Sequence, residues 1–507
     1  MNRVCKATCV VAAMLAVAVT GTLGHSQTLQ DIERGQPLTF VDGVQAFIYG
    51  YPLMMFGVTA RIGTTVMNPG DRLGAAPLNQ FGKEPNLPDA TFTAVVLPST
   101  TTLYASSFLN LKQEPIILRI PNMQGRFFIM QLLDGWTEVS DQSPGSRLMS
   151  QPGDYALVGP DYTGAEPTSV QAVIKMPTNL MWIIGRIYTT GPSDVPNVVS
   201  GIYPGLKLIP LSQQNNPNYS PPADLPLQPL VDYFTPPLNQ VAGMDACAFF
   251  SGFEAMLRYN LPIAGQDDTI VKKLQRLGLD TIDPNTKMLT WFDCTSPANV
   301  AQLPTLQQAV TVAKTFLDMA PRPLPTKTFW TMATTGVGMY EDNYLLRAEV
   351  AQQALGANNP QDAVYGYTQI DGRGRGLDGT KNYKIHFNPP GQDEGIPPIT
   401  MNGPGNSGFW SLTIYDVKGK LVAPPQGSGI NYNAIGGMMV QDHIACFNSD
   451  GSLDLYLQPT PPPAGTPFCN WLPTPNTTDR YIAFLRMYWP TQKILSKDWI
   501  PPRIMPN

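Results

Sequence analysis

Charged side chains are scarce: 14% of the 507 residues are Asp, Glu, Lys or Arg, against roughly a quarter in an ordinary globular chain. Histidine is scarcer still, with 3 copies. Neither sign of charge dominates (33 basic against 38 acidic residues), which argues against a nucleic-acid groove. Beyond the N-terminus no apolar run reaches the roughly 18 residues of a membrane span. No CxxC, HExxH, GxSxG, P-loop or EF-hand spacing occurs, so no metal and no cofactor is expected. What remains is rich in proline and aromatics: 51 Pro, 44 Gly, 20 Phe, 20 Tyr and 8 Trp within a 43% hydrophobic chain. Proline is costly inside helices and cheap between short strands, so the composition predicts a packed, mainly β protein and argues against long helical bundles. Hydrophobic periodicity, not composition, adds a helical insertion.

The first residues read as an export signal. Arg3 and Lys6 precede the apolar run from Cys9 to Val19, and Gly24 and Ser26 supply small residues for cleavage near Ser26. A signal peptide over 1–26 is the expectation, with a periplasmic or secreted mature protein and no membrane insertion after processing. Cleavage would leave Cys247, Cys294, Cys446 and Cys469. An even number in an exported chain reads as two disulfides with three connectivities open. Cys247–Cys294 and Cys446–Cys469 are favoured because each pair stays within one expected domain.

Hydrophobic periodicity divides the rest. Val44, Phe47, Ile48 and Tyr51 mark a leading helix over Phe40–Phe56, which Pro52 is expected to end or kink. Short β-type runs follow, and the first β-domain with its leading helix is placed at 36–209. A proline-rich stretch at 210–239 reads as a linker. Helical stripes occupy 240–358, including Ile270/Leu274/Leu277, Leu306/Val310/Ala313/Leu317 and Tyr340/Tyr344/Ala348/Ala351/Leu355. Strands resume in a C-terminal domain over 359–507.

Chemistry is harder to place. A histidine-based enzyme would have to rest on His386 or His443. The glycine-rich stretch Asp371–Gly379 lacks the Lys-Ser/Thr ending of a phosphate cradle. If catalysis occurs, carboxylates such as Asp134, Glu138 or Asp371 would carry it, with Asp134 and Arg126 as the first pair. A second pattern points to binding. Arg119, Arg126, Arg186 and Arg486 lie in or beside apolar strands, where a charge must pair or face a cleft. Aromatic side chains accompany them. Tyr104, Arg126, Trp136, Arg186, Trp410, Trp471 and Arg486 form the expected ligand set, suited to sugars, carboxylates or sulfated molecules.

Several segments resemble known families. Ala46–Pro52, Thr102-Leu-Tyr104, Gly125–Phe128, Leu133-Asp134 and Gly185-Arg186 are similar to the bacterial domain of unknown function 1254. Arg347-Ala348, Leu377–Gly379, Gly408–Asp416, Asp450–Leu453, Asn470–Pro473 and Leu485–Pro490 resemble domain of unknown function 1214. The resemblance implies an immunoglobulin-like β-sandwich, a helical subdomain and a jelly-roll-like β-sandwich; it implies no activity. One departure stands out. Ser99 and Thr101 occupy the places of Asn and Asp in the Asn-x-Asp-Thr-x-Tyr pattern of the first family.

The favoured reading is an exported protein that binds a small molecule or glycan in a cleft between two β-domains. A carboxylate/arginine hydrolase or lyase in that cleft is the second reading. An oligomeric surface or structural component, with a homo-oligomer as partner, is the third.

Overall fold

The computed structural model describes residues 36–92, 97–222, 232–280, 292–320, 323–402, 407–425, 434–436, 446–463 and 468–507. The expected signal peptide, His443 and the middle of the proline-rich stretch lie outside them. The architecture is mixed but strand-rich, with antiparallel sheets predominating and no closed barrel among the described residues.

Helix α1 (Gln36–Thr64) comes first and continues past Pro52. Of the expectation that Pro52 would end or kink this helix, the first alternative is therefore corrected. Its burial partners explain the outcome. Phe47, Tyr49, Tyr51 and Leu53 are buried in one core with residues of the later helices, so tertiary packing outweighs one missing hydrogen bond. The helix consequently belongs with the helical layer.

The chain then builds β1 (Gly82–Lys83), β2 (Thr102–Asn110), β3 (Ile116–Ile120), β4 (Phe128–Asp134), β5 (Gly153–Val158), β6 (Ala172–Lys175) and β7 (Leu180–Tyr188). Helix α2 (Val195–Gly201) and β8 (Lys207–Pro210) complete this part. Two four-stranded sheets result, ordered β1-β2-β7-β4 and β6-β5-β3-β8. Alternation along β2, β4 and β7 sends Leu103, Ala105, Met130, Leu132, Ile183 and Ile187 into the core between them.

The helical layer consists of α3 (Pro237–Gly243), α4 (Ala246–Leu257), α5 (Asp268–Arg276), α6 (Pro297–Asp318) and, after β9 (Thr331–Met332), α7 (Tyr344–Ala354). Ile270 and Leu274, then Leu306, Val310, Ala313 and Leu317, are buried on the faces their spacing predicts.

The last part comprises β10 (Ala363–Thr368), β11 (Tyr383–Phe387), β12 (Phe409–Asp416), β13 (Ala434–Gly436), β14 (Leu453–Gln458), β15 (Trp471–Pro473), β16 (Tyr481–Tyr488), α8 (Gln492–Leu495) and β17 (Ile504–Pro506). Its sheets are ordered β13-β12-β16-β10-β9 and β15-β14-β11-β17. Trp410, Leu412, Ile414, Leu485 and Met487 point from the first sheet to Ile385, Leu455 and Leu457 of the second. Cys247 is bonded to Cys294 and Cys446 to Cys469, the favoured pairing. Among the described residues no helix is long and apolar enough to cross a membrane.

Candidate functional site

The strand period of two decides what lies between the two β-parts. In β2–β7–β4 register, Tyr104 stands opposite Arg186, and Arg186 opposite Ile129. In β12–β16–β10 register, Ser411 stands opposite Arg486, and Arg486 opposite Tyr365. Cross-strand partners share a face, so each sheet turns one arginine away from its own core. Those two outer faces meet. Phe127, Ile129 and Tyr188 of the first sheet region pack with Ala363, Phe409 and Tyr488 of the second. Tyr188 and Phe409 have ring centroids 4.3 Å apart.

Both arginines are buried, at 7% and 3% exposure for Arg186 and Arg486. Arg186 donates to the Gln131 side chain, to Asn358 Oδ1 at 2.9 Å and to the Gly356 carbonyl at 3.1 Å. Arg486 donates to the Leu97 carbonyl at 2.7 Å and more weakly to Thr413 Oγ1 at 3.4 Å. Its guanidinium lies 4.5 Å from the Phe484 ring centre and 5.5 Å from that of Tyr415. Arg186 lies 5.7 Å from the Tyr104 ring centre. Tyr488 joins the two: burial holds its hydroxyl well above the usual phenol range, while both guanidinium groups pull it down.

Every neutral partner here is a carbonyl, an amide, a hydroxyl or a ring. Among the described residues neither arginine makes an ion pair. Asp362, whose carboxyl feels the field of Arg186, is already paired with Arg147. Ser99 and Thr101 line the same region, with Thr101 Oγ1 3.5 Å from Ser411 Oγ. The Thr100 and Thr102 hydroxyls on either side have no hydrogen-bond partner. Tyr104 and Tyr365 remain partly exposed, so solvent reaches the margin of the cluster.

The rest of the expected ligand set lies elsewhere. Trp136, Trp410 and Trp471 are fully buried in cores, with indole N–H groups of Trp136 and Trp471 spent on the carbonyls of Leu261 and Gln458. The structure therefore does not bring these three tryptophans to the seam between the two β-parts. Arg126 forms a two-pronged ion pair with Asp194, one arm at 2.8 Å. Asp134 is at the far end of β4, so the structure does not bring it and Arg126 together. Arg119 is likewise paired, with Asp154, and His386 sits at the surface against Asp454.

Asp134 has a different partner, unforeseen in the sequence. With Glu138 it frames a tight turn beside Arg347 of α7, which is fully buried. Burial first, then the neighbouring Glu138 charge, pushes the Asp134 carboxyl up to about 7; burial likewise pushes Glu138 up to about 7. Arg347 could have been suspected from spacing, because it falls within the apolar stripe of Tyr344, Ala348 and Ala351. Tyr365, Tyr488 and Asn358 were also missed. For Tyr488 the period-two offset from Arg486 was a usable signal; Asn358 comes from a loop and had none.

An open pocket of about 470 Å³ lies apart from both clusters, lined by Phe81, Lys83, Lys207 and Tyr219 among others. Burial brings the Lys83 amine down to about 8, and its Nζ is occupied by the carbonyls of Tyr203 and Leu206 at 2.5 and 2.8 Å.

Comparison with known proteins agrees with this two-part layout. Residues 78–210 match the family model described as protein of unknown function DUF1254, and 362–492 match that of protein of unknown function DUF1214. The chain thus carries both domains in that order. Arg186 falls in the first match, Arg486 in the second, and Arg347 in neither. The crystal structure of the VPA0106 protein from Vibrio parahaemolyticus superposes with a TM-score of 0.66 at 19% identity, covering 92% of this chain and 100% of that one. That likeness shows a shared fold. A putative uncharacterized protein from Burkholderia cenocepacia aligns over 95% of this chain and 96% of that one at 11% identity, with a TM-score of 0.40. No curated protein matches.

Proposed function

We propose that this protein binds a small anionic molecule, carrying carboxylate or related oxyanion groups, between its two β-parts at Arg186 and Arg486. The observation that carries the reading is the pair of buried guanidinium groups, one from each facing sheet, with no carboxylate among the described residues paired to either. A buried charge without a counter-charge is expensive, and an anionic ligand is the economical remedy. Tyr104, Tyr365 and Tyr488 would add hydroxyl donors and ring faces, while Ser99, Thr101 and Ser411 would add adaptable hydrogen bonds. The neutral-glycan version loses its support once the tryptophans are assigned to the cores.

The division at 36–209, 210–239, 240–358 and 359–507, with the leading helix of the first unit packed on the helical one, and the immunoglobulin-like and jelly-roll-like character of the two β-parts belong to the same proposal. So does export, supported by the N-terminal pattern and by two disulfides, which persist in oxidising compartments.

Thermal unfolding with a panel of di- and tricarboxylates, phosphate, sulfated sugars and neutral sugars tests the reading. Acids should raise the melting temperature of the wild type and neutral sugars should not. The proposal fails if no anion shifts it, or if Arg186→Gln and Arg486→Gln respond as the wild type does.

A further inference from the structure

The second cluster supports an inference independent of the first site. Arg347 has no exposed surface and none of its three guanidinium nitrogens makes a hydrogen bond. Its closest acidic atom is Glu138 Oε1 at 3.8 Å, an ion-pair distance too long for hydrogen bonding. Glu138 Oε1 and Asp134 Oδ2 are themselves buried without partners. Five unsatisfied polar atoms therefore collect in one place, where each would ordinarily be satisfied. The rings of Tyr49, Trp136 and Tyr344 stand 5.0–5.2 Å from the guanidinium carbon and exclude bulk water.

Other groups around the cluster are already engaged. Asp267 accepts from the hydroxyls of Tyr49 and Tyr344 at 2.9 Å and from the Ile263 amide at 2.8 Å. Glu138 Oε2 accepts from the Tyr340 amide at 2.8 Å, and Asp134 Oδ1 from the Glu138 amide at 2.9 Å. Asp342, in the turn just before α7, acts on Tyr344. Thr137, between the two acids, is held at φ 68°, a conformation a β-branched residue adopts only under constraint. Glu138 is the side reached from outside, with 19% of its side chain exposed.

We propose that this centre is a second ligand site, taking a carboxylate of formate or acetate size between the Arg347 guanidinium and the carboxyl groups of Asp134 and Glu138. A cation is refused by Arg347. An anion fits when the two acids carry protons, because guanidinium and both carboxylic O–H groups then all donate toward one point. Proton uptake must accompany binding, since the carboxylate form of Asp134 or Glu138 would repel the guest.

Calorimetric titration of the full chain with sodium acetate, at constant ionic strength, tests this. Binding should be present at about pH 5.5 and weaken about tenfold per pH unit for each proton above about pH 7. Its heat should vary with the ionisation enthalpy of the buffer, a signature of proton uptake. Glu138→Gln keeps an uncharged donor, so it should bind with a shallower pH dependence. Arg347→Met should abolish binding, whereas Arg186→Gln and Arg486→Gln should leave it intact and thereby separate this site from the interdomain one. Absence of acetate heat at the lower pH in the wild type overturns the proposal. So does binding lost only in the Arg186 and Arg486 variants, or an unaltered pH profile in Glu138→Gln. If Arg347→Met does not fold, the wild-type and Glu138→Gln profiles decide alone.

Discussion

At the scale of single residues, the two interdomain arginines are held by neutral groups, and this makes their substitution informative. Arg486→Met orphans the Leu97 carbonyl while removing a buried charge. Urea unfolding should show a loss of about 1–3 kcal/mol. The anion response should vanish with it. Thr101→Asp makes the opposite change. It places a carboxylate beside Ser411, across the register from Arg486. That side chain should compete with the ligand and remove the thermal shift while leaving the protein folded, a result read in the same assay. Buried acids set a second expectation. Burial pushes Glu84, Asp134, Glu138 and Glu254 up to about 7. Each holds its proton more tightly folded than unfolded, so its stabilising contribution is complete below about pH 4 and is lost as the pH rises to about 7. Unfolding free energy should fall across that window, and Glu84→Gln should remove roughly 2–3 kcal/mol of the decline. A free energy that rises from pH 4 to 7 in the wild type would contradict this assignment.

At the scale of elements, α1 shows why pattern alone misjudges a helix. Gly43, Gly50 and Gly57 recur every seven residues and bring α1 close to its neighbours. A Cβ at Gly43 would lie 2.9 Å from Ala309, and one at Gly50 2.9 Å from Phe253. Gly50→Ala should therefore destabilise by about 1–3 kcal/mol through overpacking, measured by chemical denaturation, although alanine favours helices intrinsically. The same packing carries the helix past Pro52, which local propensity reads as an end. Strands were more legible, since alternation identifies two faces without saying what covers the outer one. That limit explains Trp410 and Arg486. Trp410 and Arg486 lie on neighbouring strands of one sheet but on opposite faces, and only the register shows that the tryptophan enters the core. Arg347 illustrates the converse, a charge concealed in a helical stripe that hydropathy assigns to core.

At the scale of the whole molecule, the β–helix–β order and both disulfide pairs could be read from the chain, because turn residues and cysteine spacing are local signals. The meeting of the sheets could not. It depends on contacts between residues about 300 apart in sequence, such as Thr101 with Ser411. The disulfides tie segments separated by 47 and 23 residues. Replacing Cys247 and Cys294 by serine should cost about 3–4 kcal/mol in the chain-entropy view, and a melting temperature equal to that of the wild type would refute that role. The central claim concerns the seam between the two β-parts, where each contributes one buried guanidinium without a carboxylate partner among the described residues. Isothermal titration calorimetry with citrate tests it most directly. The wild type should show a saturable heat that weakens at least about tenfold in both Arg186→Gln and Arg486→Gln, as loss of a charge-assisted contact requires. Equal affinity in the wild type and in both folded variants would contradict an anion site between the sheets.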